Sequence, residues 1–483
     1  MKQFQLFILL LSAPLWMPAQ VQKTSAPQPV YPIPSAEQLA WHEMETNAFI
    51  HFTTNTFTNK EWGYGDEPES VFNPTAFNAT QWTTILKKNG FKSLILTCKH
   101  HDGFCLWPSK YTQHSVKNSP YKNGAGDIVK EVSDAARKSG LHFGVYLSPW
   151  DRNQAHYGTA AYIEYYRNQL KELFTRYGPI TEMWFDGANG GDGFYGGRRE
   201  KRSIDGATYY QWPETLHMIQ RMQPHVLFFS DAGPHLRWVG NERGEAGETN
   251  WNSINPDTLY AGKAGIEGLL NTGSIDGTRW IPAECDVSIR PGWFYHESEN
   301  NQVKTPQQLF DIYLKSVGRG ATLLLNIPPD TRGLLHETDV QSLEGFSRLL
   351  QQELGHNLAL HAHVSASSFR GNDPAYAPRN ITDGKKQNYW ATNDDQTSGS
   401  FEIHFKQPTT IRYLLLQEYI ALGQRVTAFA ADAFVDGNWK EIANATTIGY
   451  KRILKLPAVT CSKIRVRITG AKAAPLISNL AVY

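Results

Sequence analysis

Short apolar runs alternate with amphipathic segments between about residues 45 and 350. Within most runs the apolar residues are continuous rather than alternating, and polar or glycine-rich residues lie between the runs. Consecutive apolar runs separated by segments of helical periodicity are typical of parallel strands that are buried on both faces of a sheet. The runs that we predict as strands are residues 47–52, 91–98, 141–148, 180–185, 225–230 and 321–327.

The segments between these runs carry signals for helix ends. Asn78, followed by Gln81 three residues later, predicts the start of a helix that stops at Gly90. Asp127 and Thr305 occupy the same capping position at the start of two further segments. The other segments with helical periodicity are residues 127–140, 160–178, 207–222 and 305–320.

Strands and helices that alternate over this length favour a (β/α)₈-like barrel over an open, doubly wound sheet. The second half of the pattern is irregular, so we expect one or two helices to be missing there. After about residue 356 the pattern changes to short strands with turn signals, which is typical of an all-β sandwich. The sequence therefore predicts an α/β fold in two domains, a barrel over residues 20–355 and an all-β sandwich over residues 356–483.

The N-terminus has the features of an export signal. Lys2 precedes an apolar run that ends at Ala19, and polar, proline-rich sequence follows. This pattern predicts a signal peptide over residues 1–19 and a periplasmic or secreted protein. No later stretch of the sequence is long and apolar enough for a transmembrane helix, so we expect no membrane span.

Cysteine and charge content narrow the class of protein. The four cysteines are too few for a disulfide scaffold; Cys98 and Cys105 could pair, but buried free thiols are the favoured interpretation. Lys+Arg (47) and Asp+Glu (46) nearly cancel, which excludes a basic surface field for nucleic acid. Fourteen tryptophans and a balanced charge suit a neutral ligand with apolar faces, and a sugar is such a ligand. Phosphate-binding loops, dinucleotide fingerprints and G-x-S-x-G elbows are absent from the sequence in any credible context.

Polar side chains stand at the ends of several predicted strands, where barrel enzymes place their functional groups. Asp186 follows one strand and precedes a glycine-rich break. Alone, Asp186 is as well explained as a turn cap. His51, the pair His100 and His101, and Tyr146 end other strands in the same way, and together these positions favour a functional site.

Histidines and an aspartate at strand ends are also the ligands of zinc hydrolases. The first strand, however, supplies only His51 where an H-x-H pair is needed. His100 and His101 are adjacent, so they point to opposite sides if the strand pleat continues, unless a bend brings them together. A metal site is therefore the minor alternative.

Several segments of the chain together resemble the α-L-fucosidases of glycoside hydrolase family 29. In order along residues 30 to 340 they are AFIHFTTNTFTNKEWGYG, LILTCKHHDGFCLWPSKYTQHSV, GVYLSPWD, MWFDGANG, RWVGNERG, DVSIRPGWFYH and LLLNIPPDTRG. The similarity is to the branch that prefers branched 1,3/1,4-linked fucose over simple aryl fucosides. The segments NITDGKKQNYWAT and IRVRI resemble discoidin-like (coagulation-factor type C) modules.

The resemblance implies an exo-acting, retaining hydrolase of fucosylated oligosaccharides or glycoconjugates that needs no cofactor and no metal. It assigns Asp186 as the nucleophile, and retention requires a second carboxyl group about 5 Å away as general acid and base. Glu242, in WVGNE, fits this position, and its apolar approach favours the partial burial that raises a carboxyl pKa. Glu245, Glu248 and Glu284 remain alternatives.

The resemblance also assigns residues to the sugar, since imidazoles bond to hydroxyl groups and aromatic faces pack on the C–H face and the methyl group. The expected sugar-binding residues are His51, Glu61, Trp62, His100, His101, Tyr146, Trp184 and Trp293. Arg237 and Arg290 are interpreted equally well as residues that hold loops. The C-terminal module either binds sugar or supports the barrel, and Trp390 and Trp439 occupy positions that its fold usually buries.

Two alternative functions stay open on the sequence. One is a non-catalytic carbohydrate-binding protein on a decayed barrel, and the other is a glycosidase for another deoxy or galacto-configured sugar. Intact Asp186 and Glu242 argue against decay, because a decayed site usually loses one of the two. The exact glycan and the oligomeric state are not indicated by the sequence.

Overall fold

The computed structural model describes residues 24–483, which form a closed barrel of eight parallel strands and an antiparallel β domain. The predicted signal peptide lies outside the described residues. The barrel strands are β1 (Thr46–Ile50), β2 (Ser93–Lys99), β3 (His142–Leu147), β4 (Glu182–Trp184), β5 (Leu227–Ser230), β6 (Leu236–Trp238), β7 (Ala283–Ser288) and β8 (Thr322–Asn326). They follow one another around the barrel in chain order, and β8 pairs with β1 to close it. The predicted barrel is confirmed.

Three helices begin at the predicted caps Asn78, Asp127 and Thr305. The helices are α1 (Ala36–Met44), α2 (Thr54–Thr58), α3 (Ala79–Lys88), α4 (Ile128–Ser139), α5 (Ala160–Arg176), α6 (Trp212–Met222), α7 (Glu267–Thr272), α8 (Pro306–Lys315) and α9 (Glu337–Leu354). The Asn78 side chain accepts a hydrogen bond from the Gln81 N–H at the start of α3, and Thr305 forms the capping box of α8 with Gln308. Among residues 24–483, no helix is long and apolar enough to cross a membrane.

The irregular second half of the barrel has fewer helices, as expected. Strands β5 and β6 are joined by residues 231–235 alone, and these five residues contain no helix. Between β6 and β7 the chain forms the short helix α7 and a two-stranded antiparallel sheet of Ser253–Ile254 with Arg279–Trp280. Strands β6 and β7 were not among the predicted strands, because Arg237 in β6 and the acidic residues of β7 interrupt any apolar run.

The barrel interior is filled by large side chains, so open space remains only at its ends. Trp184 stacks on Phe229 with ring centroids 4.2 Å apart, and Phe49 and Tyr146 pack against the same cluster. Trp41 of α1 joins this cluster at the amino end of the strands. A small pocket can therefore form where the strands finish, at their carboxyl ends.

The C-terminal domain is one antiparallel sheet of seven strands with its own apolar core. The strands are β9 (His363–Ala366), β10 (Trp390–Ala391), β11 (Gly399–Glu418), β12 (Val426–Val435), β13 (Asn438–Ala445), β14 (Arg452–Ala471) and β15 (Leu476–Val482). Trp390 is buried as expected. The expected burial of Trp439 is wrong: it lies on the edge strand β13, partly exposed, under the Arg465 guanidinium at 4.4 Å.

The two domains share one apolar cluster. Tyr413, Leu415 and Ile453 of the β domain pack into the layer between barrel strands and helices, and the Tyr413 ring meets Phe310 of α8 edge-on. The β domain is therefore packed firmly against the barrel.

All four cysteines are buried free thiols. Cys98 and Cys105 do not pair, which confirms the favoured interpretation. Burial raises the pKa of both thiols well above the ordinary value, so they stay protonated and act as apolar core groups.

Candidate active site

A small pocket of about 110 Å³ opens at the carboxyl ends of the barrel strands. Nine of the ten residues predicted for the site line it, and the exception is Glu61. The lining residues are Phe49, His51, Trp62, His100, His101, Tyr146, Trp184, Asp186, Glu242, Asp286 and Trp293. The pocket thus combines imidazoles, aromatic rings and three carboxyl groups.

Asp186 lies just beyond β4 and is held by donors on both carboxylate oxygens. The Ala188 N–H donates to Oδ1 at 2.6 Å, and the Tyr146 hydroxyl donates to Oδ2 at 2.9 Å. The side chain is still 23% exposed toward the pocket. The next residue is Gly187, and a larger residue would not fit there because its Cβ would lie 2.2 Å from a carboxylate oxygen of Asp231. The glycine after Asp186 therefore permits the close approach of the Asp231 carboxylate to the backbone.

A bend at the end of β2 brings both adjacent histidines into the pocket. The register between β2 and β3 shifts between Thr97 and Lys99, so one residue of β2 is unpaired. The Lys99 ammonium points away from the pocket and binds Asp151 at 2.9 Å. The rings of His100 and His101 then lie 4.1 Å apart, and both line the pocket. Of the two arrangements considered from sequence, the bend is the one observed.

The pocket imidazoles are held neutral by burial. Burial lowers the pKa of His51 to about 3 and also lowers the pKa values of His100 and His101. Nδ1 of His51 lies 2.8 Å from the Asn326 amide oxygen, and Nδ1 of His101 lies 2.7 Å from the Ser148 hydroxyl. A neutral imidazole offers one donor and one acceptor, which suits the hydroxyl groups of a sugar.

These histidines are not grouped as metal ligands. Across residues 24–483, His, Cys, Asp and Glu side chains form no group of three or more that could hold a metal ion.

Glu242 faces the same pocket as Asp186 from the loop after β6. Its carboxylate accepts a hydrogen bond from the Trp293 indole N–H at 3.2 Å. Burial raises the pKa of Glu242, the negative charge of Asp186 raises it further, and the hydrogen bond from Trp293 opposes both effects. A carboxyl group with a raised pKa next to a second carboxylate has the electrostatics of a general acid.

The other candidate glutamates do not line the pocket. Glu245 and Glu248 form ion pairs with basic residues of neighbouring segments, at 2.7 and 3.3 Å. Glu284 is fully buried inside the barrel, where it accepts a hydrogen bond from the Trp184 indole at 3.2 Å. Burial, followed by the nearby charge of Glu182, raises the pKa of Glu284 well above its ordinary value.

Glu61 does not line the pocket, but its carboxylate binds the loop that carries the pocket residue Trp293. Its carboxylate accepts hydrogen bonds from the backbone N–H groups of Trp293 at 2.7 Å and Phe294 at 3.1 Å, and it lies 2.7 Å from Nε2 of His296. Glu61 therefore fixes the loop that carries Trp293. Trp62, its neighbour, stands at the pocket rim and is 54% exposed.

The two arginines considered for the site hold loops instead. Arg290 forms a fully buried ion pair with Asp339 of α9 at 3.0 Å. Arg237 is also buried and donates to backbone carbonyl groups, including those of Leu270 and Trp251. Neither lines the pocket.

Family models match most of the chain. Residues 21–353 match the model described as alpha-L-fucosidase, and residues 363–480 match the F5/8 type C domain. The chain belongs to the α-L-fucosidases of glycoside hydrolase family 29. The expected discoidin-like module of the enzyme is confirmed by the second match.

Relatives cover nearly the whole enzyme. The chain is 44% identical to putative alpha-L-fucosidase 1 of Oryza sativa subsp. japonica, over 95% of this chain and 86% of that protein. It is 42% identical to alpha-L-fucosidase 1 of Arabidopsis thaliana, over 95% and 88%. A Ruminococcus gnavus GH29 fucosidase, solved in complex with fucose, superposes with a TM-score of 0.86 at 32% identity, over 95% and 96% of the two chains.

Two pocket residues of the enzyme were missed from sequence, Phe49 and Asp286. Asp286 is 3% exposed, lies in β7 and accepts a hydrogen bond from the Trp238 indole at 2.8 Å. Burial raises the pKa of Asp286 well above its ordinary value, and the charge of Glu242 adds to this. The signal was the alternation of polar residues in β7, where Asp286 follows Glu284 by two positions on the same face.

Proposed function

We propose that the chain is an exported, retaining exo-α-L-fucosidase that removes α-1,3/1,4-linked L-fucose from branched glycans. Asp186 is the nucleophile and Glu242 is the general acid and base. The observation that carries this proposal is that both carboxyl groups line one pocket, with Asp186 fixed by two donors and the pKa of Glu242 raised.

In the first step an oxygen of Asp186 attacks the anomeric carbon of fucose while the glycosidic C–O bond breaks. The proton of the Glu242 carboxyl group passes to the departing oxygen, so the rest of the glycan leaves as an alcohol. The product is a fucosyl ester of Asp186 with inverted configuration. Burial and the charge of Asp186, which raise the pKa of Glu242, favour the protonated form that this step needs.

In the second step water attacks the anomeric carbon and Asp186 leaves as a carboxylate. Glu242, now ionised, takes a proton from the water. Once Asp186 is esterified its charge no longer raises the pKa of Glu242, which favours the change from acid to base. Two inversions give net retention of configuration.

The fucose ring is bound by the neutral imidazoles and the aromatic residues of the pocket. His51, His100 and His101 offer donors and acceptors to the hydroxyl groups without placing a positive charge beside the substrate. Trp184 and Trp293 offer apolar faces for the C–H groups and the methyl group. A small enclosed pocket of this kind suits one terminal sugar, which fits exo action.

The linkage preference and the export are supported by sequence features. The preference rests on the resemblance of segments such as WVGNERG to the branched-substrate branch, and the export rests on the pattern of residues 1–19. Trp62 and Glu242 lie at the rim of the pocket, where a second sugar beside the fucose would sit. Glu242 keeps contact with solvent there, although the protein around its carboxyl group raises its pKa.

Two measurements on the purified enzyme test the proposal. Hydrolysis of a panel of Lewis-type trisaccharides, 2-linked fucosides and aryl fucosides should show strong preference for the Lewis-type substrates. Proton NMR of the first turnovers should show α-L-fucose before mutarotation. Equal rates on aryl and Lewis-type substrates would contradict the linkage preference, and β-L-fucose as first product would contradict retention. Binding without hydrolysis of any fucoside would favour the carbohydrate-binding alternative.

A further inference from the structure

We propose that the C-terminal β domain holds the loop that carries Glu242, and that Arg452 is a positioning residue for the general acid. The proposal rests on the proposed function of Glu242. It assigns the β domain a part in catalysis that does not require the domain to bind sugar.

The Glu242 loop is tied internally to the residues that follow it. The Asn241 side chain donates to the Glu245 carbonyl at 2.8 Å and accepts from the Arg243 N–H at 3.1 Å. Asn271 of α7 donates to the same Glu245 carbonyl at 2.9 Å. Because these bonds link both sides of Glu242, a shift of residues 245–250 is passed to its carboxyl group.

Residues 246–250 are in turn held by the β domain. The Arg452 guanidinium donates to the Glu248 carbonyl. The Thr447 hydroxyl accepts from the Asn250 N–H at 2.9 Å, and the Gln424 amide donates to the Asn250 carbonyl at 2.9 Å. The Thr446 hydroxyl also donates to the Glu248 carbonyl, at 3.2 Å. Four side chains of the β domain therefore fix backbone groups of this segment.

Arg452 is itself held firmly where the domains meet. The residue is only 6% exposed. Its backbone forms an isolated antiparallel β-bridge with the backbone of Arg319, and the N–H of the next residue, Ile453, donates to the Gly318 carbonyl at 2.8 Å. Arg319 then donates to the Ala246 carbonyl at 2.7 Å. The two arginines thus bind successive parts of the segment that follows Glu242.

The nucleophile has separate support. The donors to Asp186 come from Ala188 and Tyr146, both within the barrel domain. Loosening the β-domain contact should therefore move the general acid while the nucleophile keeps its place. A misplaced acid slows departure of a basic leaving group, and it matters little for an acidic phenol that leaves unaided.

Lys451 supplies a matched control. It is adjacent to Arg452, similarly buried and also bonded to the barrel, but its partner is the Glu45 carboxylate, immediately before β1. Removing Lys451 weakens the same domain interface without touching residues 246–250.

The test compares kcat/KM for a Lewis-type trisaccharide and for an aryl fucoside with an acidic phenol. For Arg452→Ala we expect kcat/KM to fall about tenfold on the trisaccharide and less than about twofold on the aryl fucoside. The loss on the trisaccharide is smaller than the full effect of removing a general acid, because the acid is displaced and not removed. Arg452→Lys, which keeps a cationic donor, should recover part of the loss. Lys451→Ala should affect both substrates equally.

Thr447→Val removes one hydrogen bond at nearly constant volume, so it should fold even if Arg452→Ala does not. Its loss of kcat/KM should also be larger on the trisaccharide than on the aryl fucoside, but smaller than the loss in Arg452→Ala. Equal losses on both substrates for Arg452→Ala or, where that variant does not fold, for Thr447→Val would overturn the inference. Selectivity for Lys451→Ala as large as for Arg452→Ala would also overturn it. Failure of the proposed role of Glu242 is distinct, since Glu242→Ala would then show no loss that depends on the leaving group.

Discussion

The Tyr146 hydroxyl donates to Oδ2 of Asp186 at 2.9 Å, and this bond links the end of β3 to the second residue after β4. Strands β3 and β4 are neighbours in the barrel, with Tyr146 opposite Trp184 in the register. The parallel pairing therefore brings the phenol to the nucleophile and leaves the other carboxylate oxygen to the Ala188 N–H.

Tyr146→Phe should reduce kcat/KM about tenfold or more, the size expected for a hydrogen bond to a charged group. The loss should be similar for aryl and Lewis-type fucosides, because the bond orients the nucleophile and not the acid. Tyr166→Phe is the matched control: it removes a buried hydroxyl that donates to the Leu147 carbonyl, outside the pocket. Steady-state kinetics would contradict this account if Tyr146→Phe kept full activity.

Glu242→Ala should cripple hydrolysis of a Lewis-type trisaccharide by a factor of about 10² to 10⁴, the usual contribution of a general acid. Formation of the fucosyl-enzyme from an activated aryl fucoside should be slowed much less, and the intermediate should accumulate because its hydrolysis lacks a base. Azide should restore turnover and give α-fucosyl azide. Glu245→Ala and Glu248→Ala, which remove exposed ion pairs, should lack this selectivity. A leaving-group-dependent loss in Glu284→Ala alone would move the role to Glu284.

Trp293→Phe should shift the alkaline limb of the kcat/KM pH profile to higher pH. The indole N–H stabilises the ionised Glu242 carboxylate and so lowers its pKa, and removal of this donor raises the pKa. The protonated acid then persists to higher pH. Trp62→Phe changes another aromatic ring at the pocket without removing a donor to Glu242. The alkaline limb of the kcat/KM pH profile of this variant should therefore stay where it is in the wild type. A limb that stays or moves down in Trp293→Phe contradicts the assignment.

Glu182→Gln should flatten the pH dependence of thermal stability. Burial raises the pKa of Glu182 to about 7 in the folded protein, above its value in the unfolded chain. Its contribution to stability is therefore fully present below the unfolded pKa and is lost as pH rises through about 7. The melting temperature of the wild type should fall from about pH 5 to about pH 8 more steeply than that of Glu182→Gln. Glu214→Gln, exposed on α6, should keep the wild-type slope, and identical slopes for all three proteins would refute the prediction.

The barrel was predictable from sequence where its strands are apolar. Residues 91–98 and 141–148 are rich in apolar residues, and the observed strands Ser93–Lys99 and His142–Leu147 differ from them by a residue or two at each end. Strand β7 was not predicted, because its inward-facing residues include the buried acids Glu284 and Asp286, and such a strand lacks the apolar pattern used to predict strands.

The site was predictable as a set of strand ends but not as a geometry. The sequence left open whether His100 and His101 share a pocket, and the register shift near Thr97 that brings them together has no local sequence signal. Glu61 was expected at the sugar, yet its carboxylate is used by the backbone of Trp293 and Phe294. Such contacts join residues more than 200 positions apart, beyond the reach of any local pattern.

The central claim is that Asp186 forms a covalent bond with fucose. Incubation with a 2-deoxy-2-fluoro-fucosyl fluoride should trap this ester. The fluorine at C2 slows both the formation and the hydrolysis of the ester, and the good leaving group, fluoride at C1, makes the formation fast enough for the ester to accumulate. Mass spectrometry of the digested enzyme should then find one fluorofucosyl group on the peptide that contains WFDG, with fragment ions that place it on Asp186, and Asp186→Ala should take up no label. Label on another carboxylate, such as Asp286 or Glu242, or unlabelled enzyme that remains active, would contradict the account.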